Sequence, residues 1–407
     1  MNVVFVEPFF PPTQRQFVRA LAQVGATVIG IGERPAAWLD DELRSSMAHY
    51  HEVPSVVDVG AMTDAVRWIQ DQVWVDRLET TIEAHTLPVA KVRENCGIPG
   101  TSVTTAWLCR DKPSMKDALR AAGVPTAASI AASTVDEVYA FAAVVGYPLI
   151  LKPRAGAGAL DAVRVDNDTD LAAALAMFGA QAAESIAVEE FVEGHEGFYD
   201  TLCVGGEPVL DFASHYYPNV LDAMRTRDVS PQFICTNRID TAPAYDEVKE
   251  MGRRVVSALG IGTSAAHMEW FYGDKGLRFS EIGCRPPGVG AWDLYSAAND
   301  FDLYREWANS IVHGGVERRP SRRFSAGIVA LRPDRDGTIA GYTGVDQVQR
   351  AYGEWILDAH LPPVGTPTQG VEAGYMANAW LRMRHPDYDE LRAMLDAVGR
   401  SVGVHAR

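Results

Sequence analysis

The chain has 407 residues and a formal net charge of −16, with 47% hydrophobic and 22% charged residues. At roughly 150 residues per domain, this length predicts about three domains and a core that needs no disulfides. The negative charge argues against non-specific binding to nucleic acid or to an anionic membrane. Six of the 37 basic residues are lysines, namely Lys91, Lys112, Lys116, Lys152, Lys249 and Lys275. An anionic ligand would therefore depend on local cations.

Cysteine spacing and the N-terminal residues favour a reduced, cytoplasmic protein. The five cysteines are widely separated and form no CxxC pair, which argues against a disulfide framework or a zinc site. The first residues contain no basic segment typical of a signal peptide. No apolar run reaches the roughly 18 residues that a membrane span needs.

The N-terminal stretch predicts a βαβ unit. Val3–Val6 and Thr27–Ile31 are apolar enough for buried strands, and Thr13–Val24 has helical periodicity. Such a unit implies a parallel sheet. The loop after the first strand lacks GxGxxG, which argues against a nicotinamide-binding Rossmann site. This module is predicted to end near Gly97–Gly100.

A well-marked helix opens the next region. Asp111 is a good N-cap, Pro113 lies in the first turn, and Gly123 can end the helix before Pro125. Strands and helices then alternate to about residue 200.

The second half of the chain predicts mostly strands and hairpins from about residue 200 to 285. After about residue 321, Ala326–Leu331 predicts a strand, and a final helix is expected from Pro386 to Val402. No repeats or low-complexity segments occur.

A glycine-rich segment follows an apolar strand that ends at Lys152. Gly156 and Gly158 would allow backbone N–H groups to approach phosphate oxygens, and Lys152 would add a positive charge. Val163–Val165 then predicts a second strand, so the arrangement is not a P-loop, which continues into a helix. An ordinary hairpin with a surface lysine is an equally good interpretation of this segment alone.

An acidic segment lies at positions 189–196. Extended backbone over Val188–Glu196, which includes Glu189, Glu190, Phe191 and Val192, would be able to pair with an adenine edge, and a carboxylate a few residues further on would accept hydrogen bonds from ribose hydroxyls. Considered alone, the segment is more typical of a solvated acidic turn.

The clearest motif is a hairpin with two glutamates. Its strands are His267–Tyr272 and Leu277–Ile282, and a three-residue loop, Asp274–Gly276, would pair Glu269 directly with Glu281. Carboxylates about 5 Å apart repel unless a cation lies between them, and hard oxygen ligands suit Mg²⁺. The alternative is a two-residue loop, which would shift the register and place the two carboxylates on opposite faces.

In this order the motifs resemble the ATP-grasp superfamily, over roughly residues 1–320. Members include the L-amino-acid ligases, which the HME and EIGCRPPG segments resemble most, together with biotin carboxylase and D-alanine–D-alanine ligase. The resemblance implies a mixed α/β and α+β fold: an N-terminal parallel-sheet domain (1–105), an ATP-grasp domain (106–320, with a lid at about 127–190) and a C-terminal α+β region (321–407).

The resemblance also implies roles for individual residues. Phosphates of ATP would be held by Lys112, Lys152 and the loop with Gly156 and Gly158, adenine by the backbone of Glu189 to Val192, and ribose by Glu196. Magnesium would be held by Glu269 and Glu281, while Arg285 would steady the transferring phosphoryl group and His267 would lie near the γ-phosphate. Gly283 replaces a usual asparagine, which leaves the second magnesium open, and Ala159 replaces a frequent serine.

The implied activity is an ATP-dependent carboxylate–amine ligase that forms an amide through an acyl-phosphate and uses ATP with Mg²⁺ or Mn²⁺. We expect amino-acid-like carboxylate and amine substrates, no nucleic acid and no membrane partner, with a homodimer as one possible assembly. The alternatives are a biotin-carboxylase-like enzyme and a non-catalytic ATP-binding module. His215–Pro218, Arg225–Arg227 and Trp292 are candidate substrate contacts, although a solvated loop or simple packing would also explain them.

Overall fold

We analysed a computed structural model, which describes residues 1–154, 162–178, 186–375 and 377–407. The predicted segment with Gly156, Gly158 and Ala159 therefore lies outside the described residues. Across the described part of the chain, none of the helices combines the length and apolar character required to cross a bilayer.

The N-terminal region is a parallel sheet flanked by helices, as the βαβ pattern predicts. Its strand order is β3-β2-β1-β4, and β1 lies at its centre because it pairs in parallel with both β2 and β4. The strands are β1 (Asn2–Val6), β2 (Thr27–Gly32), β3 (His49–Glu52) and β4 (Arg77–Glu79). The helices are α1 (Gln14–Gln23), α2 (Asp41–Ser46), α3 (Val59–Gln70), α4 (Glu83–Cys96) and α5 (Val103–Leu108).

Helix α6 (Lys112–Ala121) begins as predicted, because the Asp111 side chain accepts a hydrogen bond from Ser114 N at 3.0 Å. Arg154 also donates to the Asp111 carboxylate, at 2.9 and 3.1 Å, and so fixes the end of the strand Leu149–Pro153 against the start of α6. A small antiparallel sheet follows, in the order β5-β8-β6-β7. Its elements are β5 (Ser129–Ala132), α7 (Val135–Val145), β6 (Leu149–Pro153), β7 (Val163–Val165), α8 (Asp168–Phe178) and β8 (Ile186–Glu190).

A large antiparallel sheet forms the centre of the molecule, in the order β13-β12-β9-β10-β11-β14-β17-β16. This sheet runs across position 320, because β14 pairs with β11, so the division of the chain into three domains stays a prediction. Its strands are β9 (His195–Val204), β10 (Glu207–Tyr217), β11 (Gln232–Cys235), β12 (Ser264–Gly273), β13 (Gly276–Gly283), β14 (Ser325–Leu331), β16 (Ile356–His360) and β17 (Ala379–His385).

Helices surround this sheet, and of these the sequence predicted the last, Tyr388–Ser401. Asp246–Ala258 is a helix in a region where the sequence predicted mainly strands. Its apolar residues Val248, Met251 and Val255 are spaced for one helical face and are buried. The helices are α9 (Val220–Ala223), α10 (Asp246–Ala258), α11 (Ala291–Asn299), α12 (Leu303–Val312), α13 (Val345–Tyr352) and α14 (Tyr388–Ser401), and β15 (Ile339–Thr343) pairs with β18 (Gly403–Ala406).

An aromatic cluster joins the N-terminal region to the central part of the molecule. The Phe17 ring on α1 lies 5.1 Å from Trp292, 4.9 Å from Tyr304 and 5.0 Å from Trp307, measured between ring centroids. Burial of such rings contributes strongly to packing, so α1 of the N-terminal region is held against α11 and α12.

Candidate active site

The two glutamates of the β12–β13 hairpin meet in one cavity, but by a different route from the one predicted. The turn contains two residues, because Gly273 pairs with Gly276, and the predicted three-residue loop is wrong. The register then shifts between Met268 and Trp270, so that Ser280 and Glu281 together lie opposite Glu269. This bulge returns Glu281 to the face that carries Glu269, since side chains alternate along a strand.

Both glutamates line a cavity of about 310 Å³ between the small sheet and the large one. This volume falls in the range typical of small-molecule sites. The cavity brings together nine of the residues predicted to hold ATP or magnesium, namely Lys112, Lys152, Glu189, Glu190, Phe191, Val192, Glu196, Glu269 and Glu281. His267 and Arg285 are not among its lining residues.

The floor of the cavity contains paired charges. Lys112 Nζ lies 3.3 Å from Glu281 Oε2, while Lys116 Nζ and Lys152 Nζ lie 2.6 and 2.8 Å from the same oxygen of Glu189. Lys116 was counted among the lysines but not predicted as a site residue. The signal was available, because residues four apart on a helix share one face, and Lys112 and Lys116 have that spacing on α6.

The shared contact strongly favours the charged form of Glu189. Burial alone would raise the pKa of this carboxyl, but Lys116 and Lys152 outweigh burial and lower the pKa to about 2. Burial lowers the pKa of Lys116 to about 8, against the attraction of Glu189. For Lys152 the balance is reversed, since Glu189 and Glu281 overcome burial and raise its pKa.

The segment that follows β8 connects the two sheets. Glu190 N donates to Ala128 O at 2.9 Å and Phe191 N donates to Pro148 O at 3.1 Å, while the Glu190 carboxylate pairs with Lys275 at the hairpin tip. Two N–H groups of the predicted adenine-binding segment are therefore used within the protein. Adenine recognition by Glu189 to Val192 stays a prediction and would rely on the other backbone groups of this segment.

Glu196 lies in the cavity with an unfavourable electrostatic environment. Its carboxylate accepts a hydrogen bond from Val220 N at 2.7 Å. Burial, followed by the negative charge of Glu269, nevertheless raises the pKa of Glu196 well above its ordinary value. Accumulated negative charge of this kind favours a cation or hydroxyl donors as ligands.

His267 lies directly behind Glu269 and is held by Asp200. His267 Nδ1 is 2.6 Å from Asp200 Oδ1, and His267 Nε2 is 3.6 Å from Glu269 Oε1. Tyr295 also donates a hydrogen bond to the Asp200 carboxylate. Burial opposes the charged imidazole, but Asp200 outweighs burial and raises the pKa of His267 to about 9.

Arg285 is occupied by a carboxylate from the N-terminal region. Its Nε donates to Glu83 Oε2 at 2.8 Å, and Arg110 lies 3.5 Å from the other oxygen of Glu83. With His267 and Glu281, Arg285 lines a second cavity of only about 10 Å³. Glu83 was not predicted as a site residue, although it opens α4 beyond the end of β4, and residues just after parallel strands are frequent ligand contacts.

Gly283, where the family resemblance would place an asparagine, lies against the same pair. A Cβ atom placed there would be 2.8 Å from Glu83 Oε2, which is too close for an ordinary contact. A side chain at position 283 would therefore require the Glu83 carboxylate to move.

The other candidate contacts divide between the site and the core. Arg225 lines the larger cavity, whereas Arg227 pairs with Asp336. His215 Nε2 lies 2.8 Å from the Tyr245 hydroxyl oxygen, in a partly buried contact. Trp292 packs in the aromatic cluster, as the simpler interpretation expected.

Comparison with known proteins identifies the fold. Residues 111–198 match the family model described as carbamoyl-phosphate synthase L chain, ATP binding domain. The L-amino acid ligase from Bacillus licheniformis superimposes with a TM-score of 0.75 at 18% identity, covering 100% of this chain and 98% of that chain. The chain has the ATP-grasp fold, and the resemblance found in the sequence is confirmed.

Sequence relatives include several ligases. The L-arginine-specific L-amino acid ligase of Bacillus subtilis is 26% identical over 324 residues, which are 77% of this chain and 76% of the relative. The alanine–anticapsin ligase of Bacillus subtilis (strain 168) is 27% identical over 218 residues, or 48% of this chain and 44% of that enzyme.

Proposed function

We propose that this protein is an ATP-dependent carboxylate–amine ligase that forms an amide bond through an acyl-phosphate. The observation that carries the proposal is the convergence of Lys112, Lys116, Lys152, Glu269 and Glu281 on one cavity of an ATP-grasp fold. Its similarity to ligases that act on amino acids supports amino-acid-like substrates.

The donor chemistry of the cavity fits magnesium. Glu269 and Glu281 offer hard carboxylate oxygens to the same cavity. Within the described ranges, no cluster of three or more His, Cys, Asp and Glu side chains is placed to hold a metal ion, so these two carboxylates would be the protein ligands. Two protein carboxylates suit Mg²⁺, which usually keeps phosphate oxygens and waters as its other ligands. When bound, the ion would neutralise charge on the β- and γ-phosphates of ATP.

In the first step, a substrate carboxylate oxygen bonds to the γ-phosphorus of ATP while the bond to the β-phosphate oxygen breaks, which releases ADP. Lys112 and Lys152 would hold the phosphates in line and offset their charge. In the second step, the amine nitrogen bonds to the acyl carbon, the bond from that carbon to the phosphate oxygen breaks, and the nitrogen loses a proton as inorganic phosphate leaves.

His267 and Arg285 would act beside the phosphates rather than within the nucleotide cavity. A protonated His267, supported by Asp200, would place positive charge behind Glu269. Glu83 would hold the Arg285 guanidinium in the second cavity, which Glu281 also lines. In this way the N-terminal region would contribute directly to the reaction centre.

The test is ADP release with a panel of amino acids and other carboxylates against amines, with hydroxylamine to trap the acyl-phosphate as a hydroxamate. Lys152→Met and Glu281→Gln should abolish both signals. Lys91→Met and Glu94→Gln, at exposed positions of α4, serve as matched controls and should keep them. Full activity in Lys152→Met would refute the proposal, and turnover that requires bicarbonate and biotin would favour a carboxylating enzyme instead.

A further inference from the structure

The contact between Lys116, Glu189 and Lys152 is unusual because two ammonium groups share one carboxylate oxygen. Both lysines approach Glu189 Oε2, and the exposed fractions of the three side chains are 1% for Lys116, 6% for Glu189 and 14% for Lys152. Among the described residues, the other oxygen, Glu189 Oε1, is buried with no hydrogen-bond partner. Two cations and one anion therefore lie together with little of any of the three side chains exposed to solvent.

The net charge of this trio depends on Lys116. With all three groups ionised, the trio carries a net charge of +1, whereas Lys152 and Glu189 alone would be neutral. Glu189 stays ionised at neutral pH, because the two lysines lower its pKa to about 2 despite burial. Lys112 does not supply a comparable excess of positive charge, since the Glu281 carboxylate lies 3.3 Å away and offsets its charge.

We propose that Lys116 is a positioning residue for the nucleotide phosphates, which acts through Glu189. The positive charge of Lys116 offsets the negative charge of Glu189, so that the charge of Lys152 remains available to the phosphates. Lys116 also holds the Glu189 carboxylate at the base of the cavity. The inference rests on the proposed use of ATP. It explains why a third lysine of a lysine-poor chain is buried at this position.

A merely structural role for Lys116 makes different predictions. If Lys116 only filled space, its replacement would lower stability and affect every ligand of the cavity alike. If it maintains the charge of the trio, replacement should weaken phosphate-bearing ligands selectively. Removal of the opposing carboxylate should then restore part of the loss, because Lys152 with a neutral residue 189 again carries a net charge of +1.

The experiment measures the affinity of the full-length chain for ATP with Mg²⁺, and for adenosine, by calorimetry. Lys116→Met should weaken ATP binding by roughly tenfold or more, as expected for loss of a charge-assisted interaction, and adenosine binding by less than about twofold. The double variant Lys116→Met/Glu189→Gln should recover at least about half of the loss on a logarithmic scale. Lys91→Met is the matched control, and thermal unfolding verifies that each variant is folded.

The outcomes separate the two proposals. If the unmodified protein does not bind ATP, the proposed function fails and this inference fails with it. If it binds ATP but Lys116→Met loses ATP and adenosine affinity equally, only the inference is overturned. An additive double variant, with no recovery, would also overturn it. Steady-state kinetics add a second criterion, since the change should appear in the KM for ATP more than in kcat.

Discussion

Replacement of Asp200 by asparagine should remove the positive charge from His267 at neutral pH. The Asp200 carboxylate lies 2.6 Å from His267 Nδ1 and is the main influence that counteracts burial of the imidazole. Asn has nearly the same shape and still accepts the hydrogen bond from Tyr295. The substitution therefore changes charge with little change in packing.

The magnitude follows from the pKa of about 9 for His267, against an ordinary value of about 6.5. This difference corresponds to about 3 kcal/mol of interaction that favours the charged form. At pH 7.5, about 97% of the imidazole would be protonated with the pKa of 9. In Asp200→Asn the pKa should fall to about 6.5 or below, which leaves about a tenth protonated.

Because the pKa of His267 is raised on folding, its contribution to stability is fully present below about pH 6.5 and is lost as pH rises through about 9. The unmodified protein should therefore lose about 3 kcal/mol of unfolding free energy across this window relative to Asp200→Asn.

The direct assay is an NMR titration of protein labelled at histidine Cε1, free of metal in EDTA, with His267→Gln to assign the resonance. Asp274→Asn, at an exposed position in the hairpin turn, is the matched control and should leave the titration unchanged. A pKa of His267 below 7 in the unmodified protein, or one that Asp200→Asn fails to lower, would refute the reasoning.

Two further predictions concern the hairpin. Gly283→Asn should not add a metal ligand but should displace Glu83 from Arg285, because a Cβ atom at Gly283 would lie 2.8 Å from Glu83 Oε2; we expect much lower ADP release, and activity equal to the unmodified protein would contradict this. Phe279→Ala should cost about 3–5 kcal/mol of unfolding free energy in urea, because the Phe279 side chain is buried at 1% exposure; a loss below about 1 kcal/mol would show that the core there can collapse.

The sequence was most informative where local chemistry decides the structure. The Asp111 cap, the strand that ends at Lys152, the βαβ unit and both strands of the glutamate hairpin were all predicted from residues close together in the chain. Gly276, the residue that directly follows the two-residue turn, has a φ of 73°, a left-handed conformation that favours glycine.

The register of the hairpin could not be predicted, because neighbours from distant parts of the chain fix it. Strand β12 pairs with β9 without interruption from Ser264 to Tyr272, whereas β13 lies at the edge of the sheet and can accommodate an extra residue. Phe279 N donates to Pro125 O at 2.8 Å, which pins β13 next to the bulge.

Glu83 and Lys116 were not predicted as site residues for the same reason, since their partners are distant in the chain. Glu83 reaches Arg285 over 202 positions in the chain, and only the packing of the N-terminal region against the central sheet brings the two together. In the sequence, Lys116 is typical of the polar residues of an amphipathic helix. Its place in the cavity follows only from the contact with Glu189 on β8.

Because of the bulge at Ser280–Glu281, the orientation of the two glutamates does not depend on the number of residues in the hairpin turn. A three-residue turn would use its extra residue at the tip, whereas this chain places the extra residue beside Glu269, with the same number of residues between the two glutamates. The strand pairs on either side of the bulge, Trp270 with Phe279 and Met268 with Ile282, fix the direction in which both carboxylates point. The Asp274–Lys275 tip is therefore the place where evolution or an engineer can lengthen this motif without turning a glutamate away from the cavity.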